Sequence, residues 1–498
     1  MRAEFPNVLT AIPAGSDHPG RFRLGPWLEQ PVSILPLVGL RMAFGLLMLI
    51  STIRFVALGW VEAHFVAPVM HFKYFGFEWV EPMGAAAMYA VHGLMMLACL
   101  GIILGAFYRV SALLFALLFT YGELIDLTYY LNHYYFISLF SFLMVLLPAH
   151  RYFSVDVWRH PAKECTEVPR WTLFICLLQI GIVYTYAGLA KLNTEWLLRA
   201  MPLKIWLPAH QHLPLIGWAM PYKATAYLFA WFGMLYDSLI VWFLLWRRTR
   251  LLAYTAVVAF HLMTGVLFQI GMFPYVMMAL TLVFFSPAWH GRVIERLRRL
   301  YSEKAERAEK TERAERAEKT EKTERAEIRQ VAETPRRYRL PQGAMRPLAV
   351  VLTLYFSFQL LFPWRYLLYE GNMFWNEEGY RFGWRVMLME KAGTAIFYVK
   401  DSRTGREGVV DNAEFLNSHQ EKQMAMQPDM ILQYAHFLAG HYAAQGVHDP
   451  QVRAEVYVTL NGHPSRLLID PTVNLANIKD GWAQKEWVLP WRPDASSH

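Results

Sequence analysis

Long apolar segments recur along this chain, and each is close to the length that crosses a lipid bilayer. A membrane-spanning helix needs about 17–25 predominantly apolar residues. Segments near this length occupy residues 35–59, 86–106, 110–128, 133–149, 172–190, 224–246, 252–269, 271–288 and 347–363. Because a bilayer offers the backbone no hydrogen-bond partners, such segments fold as helices. The sequence therefore predicts a mainly α membrane protein, a polytopic helical bundle in which Pro274 interrupts the eighth span.

The composition is that of a membrane protein, and this class of protein determines how the positive net charge is interpreted. Apolar residues make up 55% of the 498 residues and charged residues only 18%, a balance that is unusual for a soluble domain. The formal net charge of +8 does not indicate nucleic-acid binding, since Lys and Arg collect in the cytoplasmic loops of membrane proteins. The chain has 3 cysteines, Cys99, Cys165 and Cys176. Their positions predict neither a disulfide framework nor a Cys-based metal site.

The distribution of Lys and Arg predicts how the bundle is oriented. Positive residues precede the first span and follow the second, fourth, sixth and eighth, at Arg21, Arg23, Arg109, Arg151, Arg159, Lys163, Arg170, Arg247, Arg248, Arg250, Arg292, Arg296, Arg298 and Arg299. All of them fall on one side if the N-terminus is cytoplasmic. The other side, with the C-terminal region, is then extracytoplasmic, in a bacterial inner membrane or an endoplasmic reticulum.

Five regions follow from these patterns. They are a cytoplasmic N-terminal segment (1–34), a multi-pass helical membrane domain (35–290), a charged cytoplasmic linker (291–346), a last transmembrane helix (347–363) and an extracytoplasmic α+β domain (364–498). The linker contains the low-complexity run Glu303–Glu327, which lacks an apolar stripe and is interpreted as a spacer rather than a docking arm. Alternating residues at Ala395–Val399 and Ala454–Leu460 predict strands in the last region, and Pro428–Gly446 predicts an amphipathic helix.

Polar side chains at membrane depth are costly and are functional candidates by default. Four groups stand out, and three of them lie at the predicted outer surface: Glu123, Asp126, Asn132 and His133; Tyr184, Tyr186 and Lys191; and Trp375, Tyr380, Trp384 and Lys391. The fourth is His261, which lies within the seventh predicted span. Each has an ordinary structural alternative. Lys191 could extend to the interface without a chemical role, His133 could be a structural residue at a helix start, and His261 could bond a neighbouring helix. The aromatic residues at 375–384 could form an interfacial belt.

Several segments, taken in order, resemble the vitamin K-dependent γ-glutamyl carboxylase family, specifically its compact microbial-type members. These segments are Leu104–Phe115, Asp126–Leu139, His150–Asp156, Ile182–Trp196, Phe268–Met277, Asp401–Gly408 and Trp487–Arg492. Together they span most of the chain, from about residue 85 to residue 492. The resemblance implies a membrane enzyme with an extracytoplasmic active side.

The resemblance also implies a reaction and its participants. Reduced vitamin K, either phylloquinol or menaquinol, is deprotonated and reacts with O2, and it ends as an epoxide. The strong base formed on the way removes a γ-proton from a peptidyl glutamate, and the carbanion adds CO2 to give γ-carboxyglutamate. No metal is implied. The expected partners are a glutamate-containing peptide or protein, the naphthoquinone and membrane lipid, with no nucleic acid.

The family's catalytic lysine corresponds to Lys191 in this chain. A protonated lysine is no base, but apolar surroundings such as Ala187 and Leu189 disfavour the charged form, so the amine could accept a quinol proton. The family's Asn-His pair corresponds to Asn132 and His133, which are expected to orient and stabilise oxygenated quinone intermediates.

Further residues are expected around this centre. Candidates for the quinone pocket are Tyr184, His261, Phe273 and Tyr275. Candidates for contact with the glutamyl peptide are Trp375, Tyr380, Trp384 and Lys391.

The chain departs from the family pattern near the glutamate-binding face. Animal members carry a His and an Arg where this chain has Met389 and Lys391. Lys391 keeps a cation for the substrate carboxylate but lacks the bidentate fork of arginine. One alternative is therefore a quinol epoxidase without carboxylation, and another is a non-enzymatic quinone- or lipid-binding membrane protein. A transporter is disfavoured because the two halves show no repeat.

Overall fold

The computed structural model describes residues 24–268, 270–297, 299, 336–341 and 343–492. The predicted charged run at 303–327 and most of the predicted N-terminal segment lie outside these residues, so neither prediction is tested. The same holds for Arg298.

Helices make up most of the described chain. They are α1 Leu24–Glu29, α2 Leu35–Ala57, α3 Ala85–Leu104, α4 Tyr108–Ile125, α5 Asn132–Leu146, α6 Val155–Arg159, α7 Trp171–Ala190, α8 Thr194–Leu197, α9 Leu203–Trp206, α10 Lys223–Leu245, α11 Arg250–Leu267, α12 Phe273–Thr281, α13 Pro287–Leu297, α14 Met345–Leu361, α15 Met373–Asn376, α16 Ser418–Met424 and α17 Pro428–Ala444. The strands are β1 Pro31–Ser33, β2 Glu167–Pro169, β3 Lys391–Lys400, β4 Glu407–Val409, β5 Gln451–Leu460 and β6 Arg466–Leu467.

Within the described residues, 7 helices are long and apolar enough to cross a membrane: α2, α3, α4, α7, α10, α11, and α14 with its 3₁₀ continuation to Leu368. Two of the predicted spans are different. The fourth is the 15-residue α5, which ends because Leu147 turns extended before Pro148. The eighth is α12 followed by α13, bent by 115° where the chain leaves the helix shortly before Pro287.

Helix α7 is the centre of the bundle. Its most apolar window is 61% buried, against 17% for α14, so α7 is enclosed by its neighbours and α14 lies at the periphery. The chain enters α7 from β2, which pairs antiparallel with β1. Lys191 follows directly at the other end of the helix. The β1–β2 ribbon and Lys191 therefore lie at opposite faces of the bundle.

The C-terminal region folds into a small α+β domain. A sheet with the order β4-β3-β5-β6 is antiparallel throughout, and α17 packs on it through buried residues such as Tyr434 against Phe397. The predicted strands at 395–399 and 454–460 lie within β3 and β5, and the predicted helix at 428–446 is α17. The predicted fold class, a helical membrane bundle with a small α+β domain, is confirmed.

This domain rests on the face of the bundle where α4 ends and α5 begins. Gln420 on α16 donates its side-chain N–H groups to Asp126 Oδ2 at 2.9 Å and to the carbonyl of Met70 at 2.7 Å. Asn132 Nδ2 donates to the carbonyl of Arg385 at 2.7 Å. The Gln420 bonds fix α16 to the bundle, and the Asn132 bond holds the segment before β3 against the start of α5.

Candidate active site

A buried chamber of about 100 Å³ lies where α7, α10, α11 and α12 meet the segment before β3. Its lining is mainly aromatic and aliphatic: Val183, Tyr184, Ala187, Lys191, Trp196, Leu203, Trp206, Phe229, Gly233, Asp237, Phe260, His261, Thr264, Phe268, Ile270, Phe273, Met277, Val386 and Met387. The few polar groups therefore face each other across an apolar space, as is typical of a ligand site.

Lys191 brings one charge into this chamber. It is the residue at which α7 ends, and only 6% of it is exposed. Its ammonium donates to Asp237 Oδ2 at 2.7 Å and to the carbonyl of Ala187 at 3.2 Å. The ring of Trp196 lies 5.4 Å from Nζ. Lys191 is thus held inside the bundle and does not extend to the interface.

Asp237 is the functional candidate that sequence reasoning missed. It lies in the middle of α10, is buried, and lines the chamber. A carboxylate inside an apolar run is a signal that could have found it. The apolar surroundings expected for Lys191 therefore include a carboxylate, which is the partner of its ammonium.

A close helix contact holds this pair together. A Cβ atom at Gly188 would lie 2.7 Å from the backbone nitrogen of Ser238 and 2.9 Å from its Cα. Only glycine therefore lets α7 approach α10 this closely. The approach places Lys191 and Asp237 at hydrogen-bond distance, with both side chains 7% exposed.

A second polar pair joins α7 to α11. The hydroxyl of Tyr184 lies 2.9 Å from His261 Nε2, and both residues are buried and line the chamber. His261 Nδ1 is buried and has no hydrogen-bond partner among the described residues. The contact fits the helix-packing interpretation of His261, and the free nitrogen leaves the ring able to bind a ligand as well.

His133 and Asn132 lie next to the chamber rather than in its wall. The His133 ring stacks on Phe273 with 5.1 Å between centroids, and Phe273 lines the chamber. The amide of Asn132 donates to the carbonyl of Arg385, just before the lining residue Val386, and its oxygen accepts from Tyr130 Oη at 3.0 Å. In this structure Asn132 fixes the wall, and His133 contacts the wall through Phe273.

Three of the four residues predicted to contact the peptide are buried, Trp375 and Lys391 in the C-terminal domain and Trp384 against Tyr135 of α5, which corrects that expectation. Trp375 and Trp384 are 2% and 1% exposed, and Trp375 Nε1 donates to the carbonyl of Leu489. Lys391 Nζ donates to Glu377 Oε1 at 2.9 Å. Burial lowers the pKa of Lys391, and the Glu377 charge partly opposes that effect. Lys391 thus presents no free cation to a substrate.

Two further predictions have different outcomes. Tyr380 is only half-buried and its ring contacts Phe374, so it stays a candidate. Tyr275 is 49% exposed on α12 and is not part of the chamber wall, in contrast to the expectation. The reason is helical spacing: Phe273 and Met277 occupy the inward face, and Tyr275 lies between them on the other.

A groove of about 1180 Å³ lies beside the chamber, between the bundle and the C-terminal domain. Three rings stack along it: His64 on Tyr129 at 3.7 Å, and Tyr129 on His419 at 4.5 Å between centroids. Burial, followed by repulsion from His419 and His92, lowers the pKa of His64 to about 4, so its ring is uncharged at neutral pH. Phe268 and Ile270 line both the groove and the chamber, so the two cavities meet at these residues.

Two family models match this chain, one over the helical bundle and one over the C-terminal region. The family model described as the HTTM domain matches residues 29–289, more than half of the chain. The model described as the lumenal domain of vitamin K-dependent gamma-carboxylase matches residues 345–494. No solved structure matches the chain.

Proposed function

Because this chain belongs to the vitamin K-dependent gamma-carboxylase family, we propose that it catalyses vitamin K hydroquinone-dependent γ-carboxylation of peptidyl glutamate. The reaction would use O2 and CO2 and would be coupled to quinone epoxidation. The observation that carries the proposal is the Lys191–Asp237 pair, a buried acid–base couple in the wall of an aromatic chamber.

The chamber fits a reduced naphthoquinone in its chemistry. Its aromatic and aliphatic walls suit a flat ring system. The unpartnered His261 Nδ1 can bond a ring hydroxyl or oxygen, and Phe273 offers a stacking surface. Phe273, His261 and Tyr184 would therefore hold the ring. When bound, the hydroquinone supplies through its oxidation the strong base that removes a γ-proton from glutamate.

In the first step Lys191 Nζ would accept a proton from the quinol. Asp237 would make this possible by first taking the proton of the Lys191 ammonium. As a protonated amine Lys191 is no base. A carboxylate 2.7 Å away can take its proton without any net charge leaving the chamber. Removal from water disfavours the charged pair relative to the neutral one. The pair, and not the amine alone, is therefore the base in this proposal.

The burial of Lys191 and Asp237 would also protect the reactive species of the later steps from water. Both side chains are 7% exposed, so bulk water has little access to Nζ. A strong base or a carbanion formed in such a chamber is not quenched by solvent. His133 stacks on Phe273 and would support that wall of the site.

The proposal is tested with the purified full-length chain in lipid nanodiscs. Quinol, a short glutamyl peptide and labelled bicarbonate are supplied, and both label incorporation and epoxide are measured. Lys191→Arg is the informative variant, because arginine keeps the ion pair but cannot be deprotonated. We expect it to keep the wild-type melting temperature and to lose both products. Full activity in Lys191→Arg would refute the role of Lys191.

One observation favours a second candidate, a quinol epoxidase without carboxylation. Lys391, the expected cation for the substrate carboxylate, is buried and paired with Glu377. Quinol consumption and epoxide without label incorporation would support this candidate. A third candidate, a non-enzymatic quinone- or lipid-binding protein, would bind quinone and form no epoxide in the wild type.

A further inference from the structure

The groove beside the chamber is built by both parts of the chain. Residues at the ends of α2, α5 and α11 form one side of it, and the 413–423 stretch before and in α16 forms the other. The second side is held in place, because His419 Nε2 lies 3.1 Å from the carbonyl of Thr128 and Gln420 bonds Asp126. The groove is thus a fixed surface rather than a gap between independent domains.

Polar groups distinguish this groove from a lipid-tail site. Both sides contribute them: His64, Thr128 and His133 from the bundle, and Asn417, His419 and Gln423 from the C-terminal domain. Thr128 and His419 already have hydrogen-bond partners within the chain, but the rings of His64 and His133 have none among the described residues. An acyl chain makes no hydrogen bonds, so covering these two imidazoles with one would leave their nitrogens unsatisfied at about 1–3 kcal/mol each. A peptide main chain offers both donors and acceptors to the same groups.

The charges along the groove favour an acidic ligand. Arg54 is half-buried, lies over Trp60 with 4.7 Å between its guanidinium carbon and the ring centroid, and has no ion pair within the described part of the chain. One carboxylate, Glu414, also lines the groove, but it is exposed to solvent and therefore more strongly screened. Of these two charges, that of Arg54 is thus the less screened, and it favours a ligand that carries an anionic group.

We propose that this groove binds the main chain on either side of the reacting glutamate, with the glutamyl side chain directed toward the chamber where the two cavities meet, at Phe268 and Ile270. The proposal rests on the proposed function and adds the site of the acidic peptide to it. Two facts support the arrangement: the two cavities share these two residues, and the groove of about 1180 Å³ has room for a peptide segment that the chamber of about 100 Å³ lacks.

The test measures peptide binding without quinol, so it does not depend on turnover. A fluorescein-labelled glutamyl peptide is titrated against the full-length protein in nanodiscs, and its anisotropy is recorded. Ala413 is exposed and lines the groove, so Ala413→Trp should obstruct part of it without disturbing the core. Ala443→Trp, at an exposed position of α17 away from the groove, is the matched control.

We expect Ala413→Trp to weaken peptide binding at least tenfold and to raise the peptide KM with little change in kcat at saturation, while Ala443→Trp behaves as wild type. A photo-crosslinking residue at Leu131, an exposed lining position, should form an adduct with the peptide. Equal affinities of the two tryptophan variants would overturn the proposal. So would a phospholipid adduct at position 131 in place of the peptide.

The two proposals can fail separately. Carboxylation by the wild type with no effect of Ala413→Trp overturns the groove and leaves the function intact. Peptide binding that Ala413→Trp abolishes, in a protein that consumes no quinol, supports the groove and overturns the function.

Discussion

Asp237 should act as a positioning residue for Lys191 and as its proton partner. Removing one partner of a buried ion pair costs about 3–5 kcal/mol, and Asn cannot take the lysine proton. We expect Asp237→Asn to lower quinol-dependent carboxylation by about 100-fold or more and to change its pH profile. Asp237→Glu should restore part of the activity, because it keeps a carboxylate on the same wall. The measurements are kcat against pH and melting temperature for both variants.

A purely structural role of Asp237 would give another pattern. Asp237→Asn and Asp237→Glu would then lose activity only in proportion to their loss of folded protein, with the wild-type pH profile retained. That result would contradict the proposed proton partnership.

His261 should determine affinity for the quinone ring. His261→Phe keeps the aromatic bulk but removes both the bond to Tyr184 and the free Nδ1. Loss of one hydrogen bond to the ligand corresponds to about 1.4 kcal/mol, or tenfold weaker quinone binding. Trp196 and Trp206 line the same chamber, so bound quinone should quench their fluorescence and report the affinity without turnover.

The companion variant for His261 is Tyr184→Phe. It removes one hydroxyl and leaves the imidazole in place, so a smaller loss of affinity is expected. Unchanged quinone affinity in His261→Phe would place the ring elsewhere.

The residues of the site differ in how far the sequence could predict them. Lys191, Tyr184, His261 and Phe273 were predicted as site residues, and the structure brings all four to one chamber. Local sequence could not show the partner of each, since Asp237 lies 46 positions from Lys191. The same limit applies to the role predicted for Lys391. Its ion pair with Glu377 forms only in the folded chain, and this pair leaves no free cation for a substrate.

Among the elements, the α7–α10 contact at Gly188 should be the least tolerant of added volume. Gly188→Ala would force its Cβ against the backbone of Ser238, so α10 would have to move away. We expect a lower melting temperature and loss of activity, because Lys191 and Asp237 would separate. Gly93→Ala on α3 is the control, since a Cβ there meets no atom within 4 Å. Equal effects of the two substitutions would contradict this account.

The membrane helices could be predicted from the length of their apolar runs wherever no helix break occurs in the run. The long spans were predicted because their apolar runs match the bilayer thickness. The predictions differ from the structure at α5, which ends before Pro148 near the end of its apolar run, and at the α12–α13 bend, where one helical segment ends at Phe284 and the next begins at Pro287. Hydropathy alone does not register such breaks, and the bend matters because α12 supplies Phe273 to the chamber.

At the scale of the whole molecule, acid should weaken the C-terminal domain through Asp429. Burial alone would raise the pKa of Asp429, but the charge and hydrogen bonds of Arg381 outweigh it and lower that pKa below its ordinary value. A lowered carboxyl pKa stabilises the fold above the unfolded pKa of about 3.9. That stability is lost as the pH falls through the folded pKa, where protonation leaves Arg381 half-buried without its partner.

Thermal melting between neutral pH and about pH 3 measures this effect. Asp429→Asn should melt lower than wild type at neutral pH and should show a flatter decline in acid. An acid decline of the same size in both proteins would assign the effect to other carboxylates.

The orientation of the whole chain is the last expectation open to test. The positive clusters at the β1–β2 face predict that this face is cytoplasmic and that the C-terminal domain is extracytoplasmic. Single cysteines at the exposed positions Ala162 and Ala413 report the two faces. The native cysteines Cys99, Cys165 and Cys176 are buried and should give little background. In intact bacterial cells, a membrane-impermeant maleimide should label Ala413→Cys and should reach Ala162→Cys only after lysis. The reverse pattern would invert the topology and put the peptide groove in the cytoplasm, where secreted glutamyl substrates could not reach it.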